Sequence, residues 1–230
     1  NGTGKSTLLR ILAGNDKSDS GGKITFLKHI RIAFLEQEFA HDPEKDIFTQ
    51  VMDSSKQFTE GLDDDGLFAY ELRVKKFITS FGLQADSLMK NLSGGEVKRV
   101  ALTVMLASEA DFFIMDEPTN HLDIDAIEFL ENYLGHSRST LLMVTHDRYF
   151  LDHVCNTVME LDHGAVYTYR GNYENYLEKR QERIDNYNSE TAKVNNILRR
   201  ELEWIRSSPC ARTGKARYRI NAFYELKDRA

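Results

Sequence analysis

The sequence is 230 residues long, 41% apolar and 29% charged, which suits a globular chain with room for one large domain or two modest ones. Its longest largely apolar stretch, Val100 to Ala107, is far short of the roughly 20 residues a membrane-spanning helix needs, and its two cysteines, Cys155 and Cys210, are too few for a disulfide framework, so the cytoplasm is the expected compartment. The net charge of -6 is unevenly spread: residues 1–170 hold 17 Lys+Arg against 27 Asp+Glu and residues 171–230 hold 13 against 9, an acidic body with a basic tail where a polyanion would be met.

In chain order, Asn1-Gly2-Thr3-Gly4-Lys5-Ser6-Thr7 matches the end of G-x-x-x-x-G-K-[ST], so the chain is expected to begin inside a phosphate-binding loop. A helix from Ser6 to Ala13 follows, and its N-terminal amides suit phosphate oxygens, with Lys5 reaching the terminal phosphates and Ser6 ligating Mg²⁺. The plainer alternative is a glycine-rich turn before a helix. β-like segments lie at Ile24–Leu27 and Arg31–Leu35, with Gln37 just beyond the second, and helix-leaning polar sequence fills Ile47–Phe81. Leu92-Ser93-Gly94-Gly95-Glu96 then leads into a helix running to about Ala107. That spacing reads equally as a capping box or as a second anion site, since both use the helix N-terminus.

An apolar strand, Phe112–Met115, ends in Asp116 and Glu117, which places two carboxylates at the carboxyl edge of a sheet, where open α/β folds bind nucleotides. There Asp116 would hold Mg²⁺ through water and Glu117 would act as general base; alone, such a pair reads more simply as a helix cap. A helix over Ile124–Leu134, a strand over Thr140–Thr145 ending at His146, and a two-stranded meander at Thr157–Leu161 and Ala165–Tyr169 complete the body. The fold class is therefore α/β with a mainly parallel sheet. Beyond Gly171, Leu177, Ile184, Tyr187, Thr191, Val194, Leu198 and Ile205 form one apolar seam of a long helix that Pro209 ends. Lys215 to Asp228 can return as a second helix, which makes 171–230 a basic helical hairpin.

Taken in order, Gly4-Lys5-Ser6-Thr7, Gln37, Leu92-Ser93-Gly94-Gly95-Glu96, Met115 to Asp123 and Val144-Thr145-His146-Asp147-Arg148 resemble the ABC ATPase family: Walker A, Q-loop, signature, Walker B with D-loop, and H-switch. The Asn120-His121-Leu122-Asp123 and His146 to Asp152 segments, Gly171-Asn172-Tyr173 and the tail narrow the resemblance to the ABC-F branch and its Uup-like members. It implies a P-loop NTPase of the ABC type with a helical subdomain over 1–170, and an inter-domain linker over 171–230. It also implies ATP and Mg²⁺ as cofactors and a Mg-dependent ATPase activity, weak in an isolated half. By resemblance, Asn1, Gly2, Thr3, Gly4, Lys5, Ser6, Thr7, Gln37, Ser93, Gly94, Gly95, Glu96 and Asp123 serve the nucleotide, Ser6, Gln37 and Asp116 the metal, and Glu117 and His146 catalysis.

Partners follow in the same way: a second cassette absent from this chain, and a ribosome or other RNA, met by Arg206, Arg212, Lys215, Arg217 and Arg219 among Tyr218 and Phe223. The alternatives are the nucleotide-binding subunit of a transporter and a DNA-binding ABC ATPase. Two departures stand out. Glu96 occupies a position where transporters commonly have Gln, and the short Gln37–Leu92 stretch leaves little room for the extra helical arm some relatives carry.

Overall fold

The computed structural model describes residues 4–19, 21–162 and 164–206, with residues 201 and 204–206 described by their backbone alone. The chain divides into two compact units, Asn1–Thr168 and Tyr169–Ala230.

The first unit is organised about a three-stranded parallel sheet of β1 (Ile32–Leu35), β2 (Phe112–Asp116) and β3 (Thr140–Val144), with β2 in the middle. Phe113, Ile114 and Met115 of β2 are at most 1% exposed, and Asp116 is buried as well. A central strand covered on both faces has no polar side to show, hence the unbroken apolar run in the sequence. The register pairs Leu35 with Met115 and Asp116 with Val144, so all three strands present their carboxyl ends at one edge.

Helix α1 (Lys5–Leu12) packs against β2. Next come α2 (Ile47–Ser54), α3 (Lys56–Thr59), α4 (Asp64–Ser80) and a 3₁₀ turn at Met89–Asn91. Asp46 and Asp63 start α2 and α4 as N-caps, accepting from Thr49 N–H at 2.8 Å and Gly66 N–H at 2.9 Å. Helix α5 (Gly94–Ala107) packs against α4, α2 and β1 at once, which explains why Val100, Leu102 and Leu106 are fully buried. Phe77 and Phe81 near the end of α4 meet Tyr133 and Phe129 of α6 (Ile124–His136) edge-on, at 5.4 and 4.9 Å between ring centroids. A short helix that the sequence reading passed over, α7 (Arg148–Val154), is capped by Asp147 and packs on α6.

One expected strand is corrected. Ile24–Leu27 has no regular structure, and Ile24, Phe26 and Leu27 are 39, 40 and 81% exposed. A strand needs a ladder partner as well as apolar side chains, and among the described residues no neighbour pairs with this segment. The meander is present as β4 (Thr157–Asp162) paired with β5 (Ala165–Arg170). In the second unit, α8 runs through Tyr173–Arg206, 34 residues or about 51 Å. Asn172 accepts from Asn175 N–H at its start, and Tyr169 meets Tyr176 edge-on while Tyr173 lies tilted against it. Ile184, Val194 and Leu198 of the expected seam are half-buried, whereas Leu177 and Tyr187 are exposed. Among the described residues no helix is long and apolar enough to cross a membrane. The expected return helix at Lys215 to Asp228, and the tail residues Arg212, Lys215, Arg217 and Arg219, lie outside the described residues.

The loop leaving β2 carries two non-glycine residues in the left-handed region, Glu117 at φ 47° and His121 at φ 65°. It lies directly against the start of α5: a Cβ on Gly95 would collide with the His121 carbonyl oxygen. Gly94, its neighbour, has nothing within 4 Å of a built Cβ. Gly95→Ala should therefore lower stability by about 1–3 kcal/mol through overpacking, while Gly94→Ala leaves it unchanged or slightly higher; urea midpoints measure both. At position 117 the backbone itself sets the order. Glu117→Gly should be more stable than Glu117→Ala by about 1 kcal/mol, and an Ala variant equal to or above Gly would show that the left-handed geometry is not strained.

Candidate active site at the carboxyl edge of the sheet

The carboxyl ends of the strands and the start of α1 surround a cavity of about 470 Å³ lined by Gly4, Lys5, Ser6, Thr7, Gln37, Asp116, Glu117, Asn120, Val144 and His146. Eight of the candidate residues, spread over more than a hundred positions of the sequence, thus meet in one place. The reason is local at each position. Gly4 is the N-cap of α1 at φ 79°, a conformation glycine takes without a Cβ penalty, and as a glycine it makes no side-chain cap bond. A helix start of this kind aims its first-turn amides and the positive end of the helix dipole at the cavity, which suits an anion.

Across the cavity, the parallel register puts Glu117 beside the end of β3, where its N–H donates to the Val144 carbonyl at 2.8 Å. From there the Glu117 carboxylate meets His146 twice. Oε2 accepts from the His146 backbone N–H at 3.3 Å, and Oε1 lies 3.4 Å from Nε2. The Glu117 side chain is 12% exposed and that of His146 71%, so the carboxylate is sheltered and the imidazole is open. Asp116, 4% exposed, is a second buried carboxylate at the same edge. The first-turn amides, Lys5 and two carboxylates form a donor set that fits a polyphosphate with a hard divalent cation: donors for the anion, and oxygen ligands for the metal.

The other candidate residues lie elsewhere. Ser93 is the N-cap of α5, and the capping box is complete: Glu96 N–H donates to Ser93 Oγ at 3.3 Å, and Ser93 N–H to Glu96 Oε2 at 2.8 Å. The Ser93 hydroxyl also donates to that oxygen at 2.7 Å, and these bonds hold the Glu96 carboxyl below the usual carboxylate range. Asp123 caps α6 through Ala126 N–H at 3.1 Å and pairs with Arg99 at 3.5 Å. Ser93, Gly94, Gly95, Glu96 and Asp123 are therefore not among the residues lining the cavity. Asn1, Gly2 and Thr3 are outside the described residues, and Arg206 ends α8 with its side chain outside them too.

Two contributors were not singled out from the sequence. Asn120 lines the cavity from within the motif already read there. Lys98 is the less expected one: it is 7% exposed, beneath the same edge, and burial pushes its amine down to about 8 against the opposing pull of Asp116 and Glu117. Its signal in the sequence was position, a lysine three residues after Gly95 in line with the buried Ala101, Leu102 and Met105.

Comparison with known proteins agrees with this geometry. The sequence profile of the family described as ABC transporter matches residues 1–120, and a second profile of that description, for an extension of it, matches residues 159–230. YfmR of Bacillus subtilis, named as an uncharacterized ABC transporter ATP-binding protein, is 37% identical over 99% of this chain and 41% of its own length. The energy-dependent translational throttle protein EttA of Mycobacterium tuberculosis is 34% identical over 98% of this chain and 46% of its own length. The chain thus spans less than half the length of these relatives. Among solved structures, a chain from the complex of the archaeal ribosomal stalk protein aP1 with the ribosome recycling factor aABCE1 superposes with a TM-score of 0.56 at 25% identity, covering 73% of this chain and 32% of that one. The chain belongs to the ABC transporter family.

Proposed function

We propose that this cassette binds ATP with Mg²⁺ and hydrolyses it as one half of a two-cassette ATPase working on the ribosome in the cytoplasm. The observation that carries the ATPase reading is the convergence of the α1 start, Gln37, the Asp116–Glu117 pair and His146 on one cavity. The α1 amides and Lys5 would hold the phosphates, and Ser6, Asp116 and Gln37 would hold Mg²⁺, which would supply charge neutralisation for phosphoryl transfer. Glu117 orients the attacking water and accepts its proton. Its shelter from solvent and its backbone bond from His146 fix where that oxygen sits, and His146 closes the same side of the cavity.

On this reading Ser93, Gly94, Gly95, Glu96 and Asp123, away from this cavity, serve the nucleotide held by the second cassette. Residues 1–170 are the ATPase domain and 171–230 the linker, with Arg206, Arg212, Lys215, Arg217 and Arg219 meeting RNA phosphates. The ribosome enters from two relatives: the name of EttA refers to translation, and aABCE1 is described as a ribosome recycling factor in complex with a stalk protein.

In the full-length protein, Glu117→Gln should cut steady-state ATP turnover by about 10²-fold or more while ATP binding persists. Ordinary turnover in that variant removes Glu117 from its role. The same variant, pelleted through a sucrose cushion with ribosomes, should co-sediment in ATP and not in ADP, and the association should weaken steeply with salt. A folded, ATP-bound protein that stays in the supernatant in both nucleotides would sink the ribosome reading and favour DNA or a membrane partner.

A further inference from the structure

The Lys98 side chain reaches from the second turn of α5 to the carboxyl edge of the sheet, where its amine donates to two backbone carbonyls, Asp116 at 3.3 Å and Glu36 at 3.5 Å. These carbonyls have a particular place in the chain. Each belongs to the peptide unit that joins its residue to the next, so one grip fixes the Asp116–Glu117 plane and the other the Glu36–Gln37 plane. The Asp116–Glu117 plane is also held from its other side, where Glu117 N–H donates to Val144. Between them these two bonds set the peptide from which Glu117 turns into its left-handed conformation.

An apolar side chain would fill position 98, among Ala101, Leu102 and Met105, without desolvating an amine. The amine therefore supplies something packing does not: a donor long enough to span two strand ends from the helix that opens with Gly94. We propose that Lys98 is a positioning residue for the hydrolytic reaction, holding the peptide planes before Gln37 and Glu117 so that both side chains meet the cavity in one fixed relation. It touches neither substrate nor reacting atoms and acts through those two residues. The proposal rests on the ATPase reading given above.

The test compares wild type, Lys98→Met, Lys98→Arg and the Lys98→Met/Glu117→Gln double variant in the full-length protein, measuring steady-state ATP hydrolysis and the affinity for a fluorescent ATP analogue with Mg²⁺. Lys98→Met should lower kcat by about 10- to 100-fold, the range expected when a reacting group is misplaced by about an ångström, while KM and analogue affinity move by less than about threefold. Lys98→Arg, which keeps a donor, should recover most of the loss. In the Glu117→Gln background the Met substitution should cost severalfold less than in the wild type, because the Glu117 half of the geometry it disturbs is no longer used.

Wild-type turnover in Lys98→Met overturns the proposal. So does a loss of affinity in step with kcat, or failure of the Met variant to fold, since either makes Lys98 a general structural tether. An equal loss in both Glu117 backgrounds also overturns it, because Lys98 would then act elsewhere. If the wild-type protein itself hydrolyses no ATP, the ATPase reading fails and takes this one with it. An active wild type with an unaffected Met variant removes the role of Lys98 alone.

Discussion

Strand β2 sits between β1 and β3 because four consecutive residues accept burial, and the position of every group at the site follows from that placement. A parallel strand covered on both faces can turn polar only where it ends. Asp116 is that end, and Glu117 is the first residue beyond it. Because the neighbouring strands run the same way, their ends carry Gln37 and His146 to the same edge, and α1, packed on β2, brings its N-terminus there. The carboxylates are thus gathered where first-turn amides point, which is the electrostatic arrangement a polyphosphate with a cation requires.

The second organising element is the first turn and a half of α5. Gly95 receives the His121 carbonyl against its bare Cα, and Lys98 holds the ends of β1 and β2. Arg99 donates to the Phe81 carbonyl at 2.9 Å and pairs with Asp123 at 3.5 Å. Three side-chain positions on one helix therefore reach the Gln37 segment, the Asp116–Glu117 peptide, the loop beyond it and the close of α4. A helix packed this tightly against its neighbours moves as a body, so a displacement of its N-terminus is felt at all of them.

Much of this was legible in the sequence because the informative residues obey rules that act over a few positions. Gly4-Lys5-Ser6-Thr7 needs a tight turn and a helix, the run Phe112 to Met115 needs a covered strand, and Ser93 with Glu96 needs a helix start. The capping box and the anion-site readings of that last segment share one geometry, which is why the pattern alone did not separate them. What stayed hidden depends on tertiary partners. Ile24–Leu27 has the composition of a strand, yet composition does not supply a ladder. Lys98 reads as a solvated helix charge until α5 is seen to be covered on that side. The glycine at 95 also has a use within the fold that the sequence does not show: a Cβ there would collide with the His121 carbonyl of the protein itself.

That last contact bears on how such a cassette can be taken apart and rebuilt. The start of α5 and the loop from Glu117 to Asp123 are far apart in sequence but share a single steric register, set where one backbone lies directly on another. A chimera whose crossover falls between them inherits a helix shaped to one loop and a loop shaped to another helix. Shuffling experiments on this chain will find these two segments inseparable, and a domain graft that carries them together keeps the register intact.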